Sequence, residues 1–359
     1  VAFARVFERI GNVQLPKVVI LGAWDPLGST PEVGRGAGQL VAASYAELVH
    51  SLLLRLNRRC DDLALPRVTL ESLRTPRRTD SARLQHLSDA YADALAQEMS
   101  QRSELMLLDA TPEAESTPNS IRDAFAKRFV ACPAAEADMV SMAGAMALAG
   151  FLPVCSASAF SLSARASEQI HSNAADHLRI VYVATHAGVF SARPGQALPS
   201  LRDLAAISTV PEMVAIAPAC ESEVREALRW CLHEHRFSSW LRLETVPWPV
   251  PFELPKDYRL EPGVGVMLRP GTDALFIGYG PVLLSEAFLA AERLSESGLS
   301  VAVVNLPWLN RVHAPWLSHV LSGYPHVFAL DNHHLIGGQG DRIAEIMARA
   351  GFARWPRLH

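Results

Sequence analysis

The chain has 359 residues, 49% of them apolar and 19% charged, which is the make-up of a globular protein with room for two or three domains. Its formal net charge of −4 argues against a general nucleic-acid surface, and no apolar run reaches the roughly 18 residues needed to span a bilayer. Cys60, Cys132, Cys155, Cys220 and Cys231 are odd in number and show no metal-ligand spacing. That pattern, with no signal-peptide signature, predicts buried thiols in a cytoplasmic protein.

In chain order, the first 75 residues are the least patterned. A buried strand is expected at 18–22, loops at 25–31 and 34–38, and a helix at 40–58. The glycines at 34–38 form no phosphate loop, because no Gly-Lys-Ser/Thr follows them. The Arg-rich stretch 74–83 reads as a linker. An amphipathic helix is predicted at 84–98, a strand at 105–109 and a polar loop at 111–120.

The most informative stretch is 128–150, Arg-Phe-Val-Ala-Cys-Pro-Ala-Ala-Glu-Ala-Asp-Met-Val-Ser-Met-Ala-Gly-Ala-Met-Ala-Leu-Ala-Gly. A short apolar run ends in a turn that carries one acid, Glu136. A helix of small residues and methionines follows and stops at Gly150, just before Pro153. Taken alone, Glu136 is an acid complementing the positive end of a helix dipole.

Downstream, strands are predicted at 153–156, 180–184, 213–217 and 239–243, with helices at 163–176 and 221–233. Pro247-Trp-Pro-Val-Pro-Phe-Glu-Leu-Pro255 reads as a proline-rich linker. After it come strands at 274–277, 300–304 and 327–330, and helices at 283–297, 314–321 and 341–350. Strands alternating with helices imply parallel sheets covered on both faces. The expected fold is therefore α/β: two consecutive parallel-sheet domains, 76–246 and 256–359, behind an N-terminal extension or arm, 1–75.

The 128–150 stretch resembles the segment of the transketolase superfamily that carries its catalytic glutamate: an aromatic residue, a short strand, "AE", then a small-residue helix ending "ALAG". Phe129, Ala135-Glu136 and 147–150 match it in turn. The resemblance runs over roughly residues 84–351. It implies a thiamine-diphosphate pyrimidine-binding fold followed by a transketolase C-terminal fold. In such enzymes the cofactor does the hard chemistry. The resemblance assigns Glu136 the catalytic task of holding the aminopyrimidine ring through a hydrogen bond and activating the cofactor. Phe160, within Ser156-Ala-Ser-Ala-Phe160, matches the "S-T-F" aromatic that stacks on that ring. Ser163 stands on the same cofactor wall, where relatives often carry a second aromatic.

Val183-Ala-Thr-His-Ala-Gly188 is similar to "VATHDS" of transketolases and "IDRAG" of deoxyxylulose-phosphate synthases, and puts His186 in the catalytic and substrate pocket. The next family loop, "G-E-D-G-P-T-H-Q", is replaced by Ser191-Ala-Arg-Pro-Gly-Gln-Ala-Leu-Pro199. Leu198 falls at the family's histidine, and a leucine neither hydrogen-bonds a hydroxyl nor moves a proton. An atypical substrate follows, with Arg193, Gln196 and, in Trp240-Leu-Arg-Leu243, Arg242 as candidate substrate contacts. The segment 330–341, Leu-Asp-Asn-His-His-Leu-Ile-Gly-Gly-Gln-Gly-Asp, looks like the family's "E-E/D-H…GG-G". His333 and His334 lack a third ligand at fitting spacing, so no metal site is expected in this chain.

Thiamine diphosphate needs Mg²⁺ at its diphosphate, and the family supplies this from "G-D-G…N". That motif is not found, and Gly340-Asp341 lies in the wrong domain. The implied protein is a β-type subunit of a two-component transketolase-like transferase. It pairs with an α-type subunit carrying G-D-G…N, as α2β2 with sites at the interface, and moves a two-carbon ketol or acyl unit. The alternatives are a deoxyxylulose-phosphate-synthase-like or 2-oxoacid-decarboxylating E1β-like subunit, and a non-catalytic scaffold.

Overall fold

The protein is described here by a computed structural model covering residues 83–111, 119–189, 200–350 and 356–359, with scattered positions between 50 and 67. The expected strand at 18–22, the loops at 25–38, most of the helix at 40–58, most of the linker at 74–83 and the loop at 111–120 lie outside these residues. So does the 191–199 segment with Arg193 and Gln196. Every element below belongs to the unit Thr69–His359.

The first domain runs β1 (Arg83–Gln85), α1 (Leu87–Gln101), β2 (Leu105–Asp109), α2 (Asn119–Ala124), β3 (Phe129–Ala131), α3 (Glu136–Leu148), β4 (Leu152–Ser158), α4 (Ala159–Arg165), α5 (Ser167–Ala175), β5 (Val181–Thr185), α6 (Asp203–Ile207), β6 (Val214–Ile216), α7 (Glu221–His233) and β7 (Ser239–Arg242). Six of its strands, all but β1, pair in the order β3-β2-β4-β5-β7-β6, all parallel. Alternation along each strand splits the core between two faces. Leu105, Leu107, Val154, Val181 and Val183 pack on one side with Leu95 of α1 and Leu228 of α7. Leu108, Cys155, Ala157, Tyr182 and Ala184 pack on the other with Met139 of α3, Leu162 of α4 and Ile170 of α5. A sheet buried on both faces is what the near-continuous apolar runs require.

Two local readings change. The helix expected at 163–176 starts earlier and is interrupted at Ala166, giving α4 and α5. Ser158 starts α4 by accepting the Ser161 amide at 3.1 Å, an N-cap bond. The proline-rich linker holds a strand, β8 (Trp248–Val250), which pairs antiparallel with β1.

The second domain runs β9 (Val266–Arg269), β10 (Ala274–Gly278), α8 (Pro281–Glu296), β11 (Val301–Asn305), α9 (Ala314–Ser322), β12 (His326–Ala329), α10 (Gln339–Arg349) and β13 (Arg357–Leu358). Its sheet order is β13-β12-β10-β11-β9. It is mixed: β9, absent from the expected elements, lies antiparallel to β11 at the edge, while the other pairs are parallel.

The two domains share one apolar core. Trp230 of α7 meets Trp308 edge-on with ring centroids 4.8 Å apart. The segment 307–310 lies along the edge strand β6, with Ala217 N–H donating to Pro307 O at 2.9 Å and Leu309 N–H to Ala215 O at 2.9 Å. Covering an edge in this way removes a row of unpaired backbone groups.

Candidate active site

In a parallel sheet a crevice opens at the carboxyl ends of neighbouring strands whose connections leave in opposite directions. Here β2 leads to β3 on one side and β4 leads to β5 on the other. Around that edge the chain places Asp109 at the end of β2, Glu136 after β3, Phe160 after β4 and His186 after β5.

Glu136 is the first residue of α3 and its side chain is 7% exposed. The turn before it is strained, with Ala134 at φ 55°, in a region that disfavours residues with a Cβ. Arg165, at the end of α4, brings Nη1 to 3.4 Å from Glu136 Oε2. The sequence shows no cation near Glu136, so this neighbour is a feature of the fold. It also places α4, the helix that carries Phe160, against the Glu136 turn. Phe160 is half-buried. Ser163 is buried and its hydroxyl donates to Ala159 O at 2.7 Å, so that donor is engaged within its own helix and does not face the crevice as a free group.

His186 follows β5 with φ 54°. A non-glycine residue held there is a recurrent mark of functional sites. It is half-buried, and Nδ1 lies 3.1 Å from Thr185 Oγ1. Immediately after it, Gly188 N–H donates to Ser200 O at 3.2 Å and Val189 N–H to Asn332 Oδ1 at 2.8 Å.

Arg242 lies deeper than His186, another candidate contact. The resemblance assigned it to substrate, but it is 1% exposed. Its Nε donates to Asp203 Oδ2 at 2.8 Å, and its Nη2 to Asn332 O at 3.0 Å and Ser200 O at 3.2 Å. Burial opposes its charge, but the Asp203 carboxylate outweighs burial and holds the guanidinium above its ordinary range. Its Nε and Nη2 are thus engaged by protein atoms.

Sequence reasoning missed Asp109 and Thr111. Buried Asp109 accepts the Thr111 amide at 2.8 Å and also its hydroxyl. An aspartate closing an apolar strand was the available signal. It also missed Arg165, Asp203 and Asn332, which reach their partners only through the fold, and Glu244, which the fold buries beside Arg242. Among the described residues no group of three or more His, Cys, Asp or Glu side chains is placed to hold a metal ion. No helix among them is long and apolar enough to cross a membrane.

Comparison with known proteins supports the same frame. Residues 85–245 match the transketolase pyrimidine binding domain and residues 263–357 the transketolase C-terminal domain. A putative transketolase C-terminal section from Methanocaldococcus jannaschii is 27% identical over 262 residues, covering 73% of this chain and 81% of that protein. One subunit of the apulose-4-phosphate transketolase of Actinobacillus succinogenes is 26% identical, covering 68% of this chain and 78% of its own. The 1-deoxy-D-xylulose-5-phosphate synthase of Chlorobium phaeovibrioides is 23% identical, and the chain spans 41% of its length. Among solved structures, a split gene transketolase in an inactive beta4 tetramer superposes with a TM-score of 0.66 at 26% identity, over 74% of this chain and 86% of that one. With two domains matched in order across most of its length, the chain belongs to the transketolase family and carries its pyrimidine-binding and C-terminal domains.

Proposed function

We propose that this chain is the β-type subunit of a two-component, thiamine-diphosphate-dependent transketolase-like transferase acting on an atypical substrate. The observation that carries this reading is the buried Glu136 carboxyl at the first turn of α3, against the helix that bears Phe160.

These residues fit the aminopyrimidine half of the cofactor. Glu136 presents a carboxyl held by one long bond to a half-exposed arginine, so it can exchange that partner for a ring nitrogen. Phe160 offers a half-buried aromatic face, and ring stacking contributes roughly 0.5–1.5 kcal/mol beyond area burial. When bound, the cofactor supplies an electron sink for cleaving and forming a bond to a carbonyl carbon. Glu136 holds and orients the ring and shares a proton with it. His186, fixed by Thr185 and by the backbone bonds of Gly188 and Val189, faces the substrate as a proton carrier. Mg²⁺ and the diphosphate are held by an α-type partner with the G-D-G…N motif, in an α2β2 assembly in the cytoplasm. The apulose-4-phosphate transketolase relative, itself one subunit of its enzyme, and the split-gene relative support a divided enzyme. Arg193 and Gln196 are substrate contacts in this proposal, and Arg242 does not belong to that set.

The test begins with co-purification of the tagged chain and its partner from source cells, followed by assay of two-carbon transfer with added thiamine diphosphate and Mg²⁺. Glu136→Gln is expected to lower the rate by about 10²-fold or more; an unchanged rate would remove Glu136 from the mechanism. A second reading, synthase-like decarboxylation of a 2-oxoacid, is favoured by the deoxyxylulose-phosphate synthase relatives. Carbon dioxide release from pyruvate by the same complex would select it over ketol transfer.

A further inference from the structure

At the seam between the two domains lies a buried polar cluster that the proposed reaction does not use. Arg242 ends β7, and Asp203 opens α6. Glu244 follows β7, Tyr279 and Gly280 precede α8, and Asp331 and Asn332 follow β12. Arg242, Asp203 and Glu244 are each no more than 2% exposed. One guanidinium therefore faces two carboxyl groups in a site closed to bulk water.

The guanidinium is committed to only one of them. Arg242 reaches Asp203 through Nε and Nη2 and crosses the seam to Asn332 O. Glu244 is left with both oxygens unpartnered, and Arg242 Nη1, Asn332 Nδ2 and Ser200 Oγ are unpartnered beside it. On the far side the Tyr279 hydroxyl donates to Asp331 Oδ1 and accepts the Asn332 amide at 3.0 Å. The charged and titratable groups that act on Glu244 are Arg242 and Tyr279, each of which is itself paired with a carboxylate, Asp203 and Asp331 respectively. A second anion against a single buried cation carries a desolvation cost, so burial favours the protonated form of Glu244.

We propose that Glu244 is a proton-linked latch of the domain seam, which in its neutral form leaves Arg242 free to clamp the backbone that follows His186. The clamp is specific. Arg242 holds Ser200 O and Asn332 O, Asn332 Oδ1 holds the Val189 amide, and Gly188 N–H closes on Ser200 O. Gly188 has φ 81°, and a Cβ there would overlap the Asn332 amide, so Asn332 is seated directly against this backbone. When Glu244 ionises it competes with Asp203 for the guanidinium. Arg242 turns its free Nη1 toward Glu244, and its bonds to Ser200 and Asn332 slacken.

Burial pushes the Glu244 carboxyl up to about 7, with Arg242 and the Asn332 amide pulling the other way. The transition therefore falls near neutral pH. An acid held above its unfolded value stabilises the fold fully only below that unfolded value, and the stability is lost progressively as pH rises from there to the folded value.

The test uses the full chain and Glu244→Gln, which keeps the neutral shape without the titrating proton. The melting temperature of the variant minus that of wild type should be smallest near pH 4.5, grow as pH rises to about 7 and level off above it. Amide exchange at Val189, corrected for intrinsic rate, should quicken in wild type above pH 7 and not in the variant. A melting difference independent of pH, or identical exchange profiles, overturns the proposal. Should the variant fail to fold, wild type decides alone. Infrared spectroscopy should show a protonated buried carboxyl lost between pH 6 and 8.5, and no such loss overturns it.

Discussion

Arg165 and Glu136 meet across 29 residues of sequence, guanidinium Nη1 to carboxylate Oε2, with the arginine 56% exposed and the acid 7% exposed. The pair puts a removable cation on the acid that the proposed mechanism uses to hold its cofactor. A half-exposed pair of this kind contributes about 1 kcal/mol or less. Arg165→Met should therefore leave urea unfolding nearly unchanged. It should tighten thiamine diphosphate binding to the assembled enzyme by up to about fivefold, because the ring nitrogen no longer competes for the carboxyl. Calorimetric titration showing weaker binding would instead make Arg165 part of the cofactor wall.

Arg242→Met and Asp203→Asn should differ, although each breaks the same pair. Removing Arg242 orphans a fully buried carboxylate and frees the Ser200 and Asn332 carbonyls, a loss of about 3–5 kcal/mol. Removing the Asp203 charge leaves Arg242 beside Glu244, which can ionise in its place, so the loss should be smaller. Equilibrium urea unfolding checks the order. A reversed order would mean that Glu244 cannot reach the guanidinium. A large stability loss for Arg242→Met also separates a seam residue from a substrate contact, whose loss would raise KM and leave unfolding unchanged.

Glu223 gathers three partners from three parts of the chain. It accepts the Ala219 amide at 2.6 Å, the Tyr258 hydroxyl at 2.6 Å and the Asn305 amide at 2.8 Å. Burial holds its carboxyl above the ordinary range, against the pull of these three donors. Tyr258→Phe removes one donor and should cost about 1–3 kcal/mol. The carboxyl should also move further up, so the variant should lose stability more steeply than wild type as pH rises above the ordinary carboxylate range. Parallel pH profiles in thermal melts would contradict that coupling.

Gly280 and Gly298 both hold left-handed backbone, φ 75° and 81°. Alanine at either carries the strain of that region, roughly 1–2 kcal/mol. A Cβ at Gly298 meets open space, whereas one at Gly280 overlaps Glu244 Oε1. Gly280→Ala should therefore be the more damaging, and combining it with Glu244→Ala should recover part of the difference in a double-mutant cycle. Equal costs at the two positions would show that Glu244 moves aside freely.

The sequence made the strands at 105–109 and 301–305 and the helix at 221–233 legible, because each is a clean apolar run or stripe with turn residues at its ends. Trp248–Val250 was hidden, since two prolines spell linker and its pairing with Arg83–Gln85 is a contact over 160 residues away. Val266–Arg269 was hidden because a short half-exposed edge strand has little periodicity. The break at Ala166 was invisible because its neighbours all favour helix or cap. At the candidate site, short motifs singled out Glu136, Phe160 and His186, and the fold places them after β3, β4 and β5 of one sheet. What lay beyond reach was every pairing across the fold. Arg165 with Glu136, Arg242 with Asp203, and Asn332 with Val189 are set by the packing of helices and domains, and local spacing carries no record of them.

The strip 307–310 that lies along β6 has a consequence for how such a gene can be divided. If the second domain were made as a separate chain, Ala215 and Ala217 would show their amides on a bare strand margin, and the faces of Trp230 and Trp308 would be opened to water. The isolated first half would be sticky during synthesis, ready to pair with its own copies before its complement arrived. A break between these two domains is therefore a hazard to the cell even if the halves can recombine. Fission and fusion events are better tolerated elsewhere along the ancestral polypeptide, and these two domains should travel together.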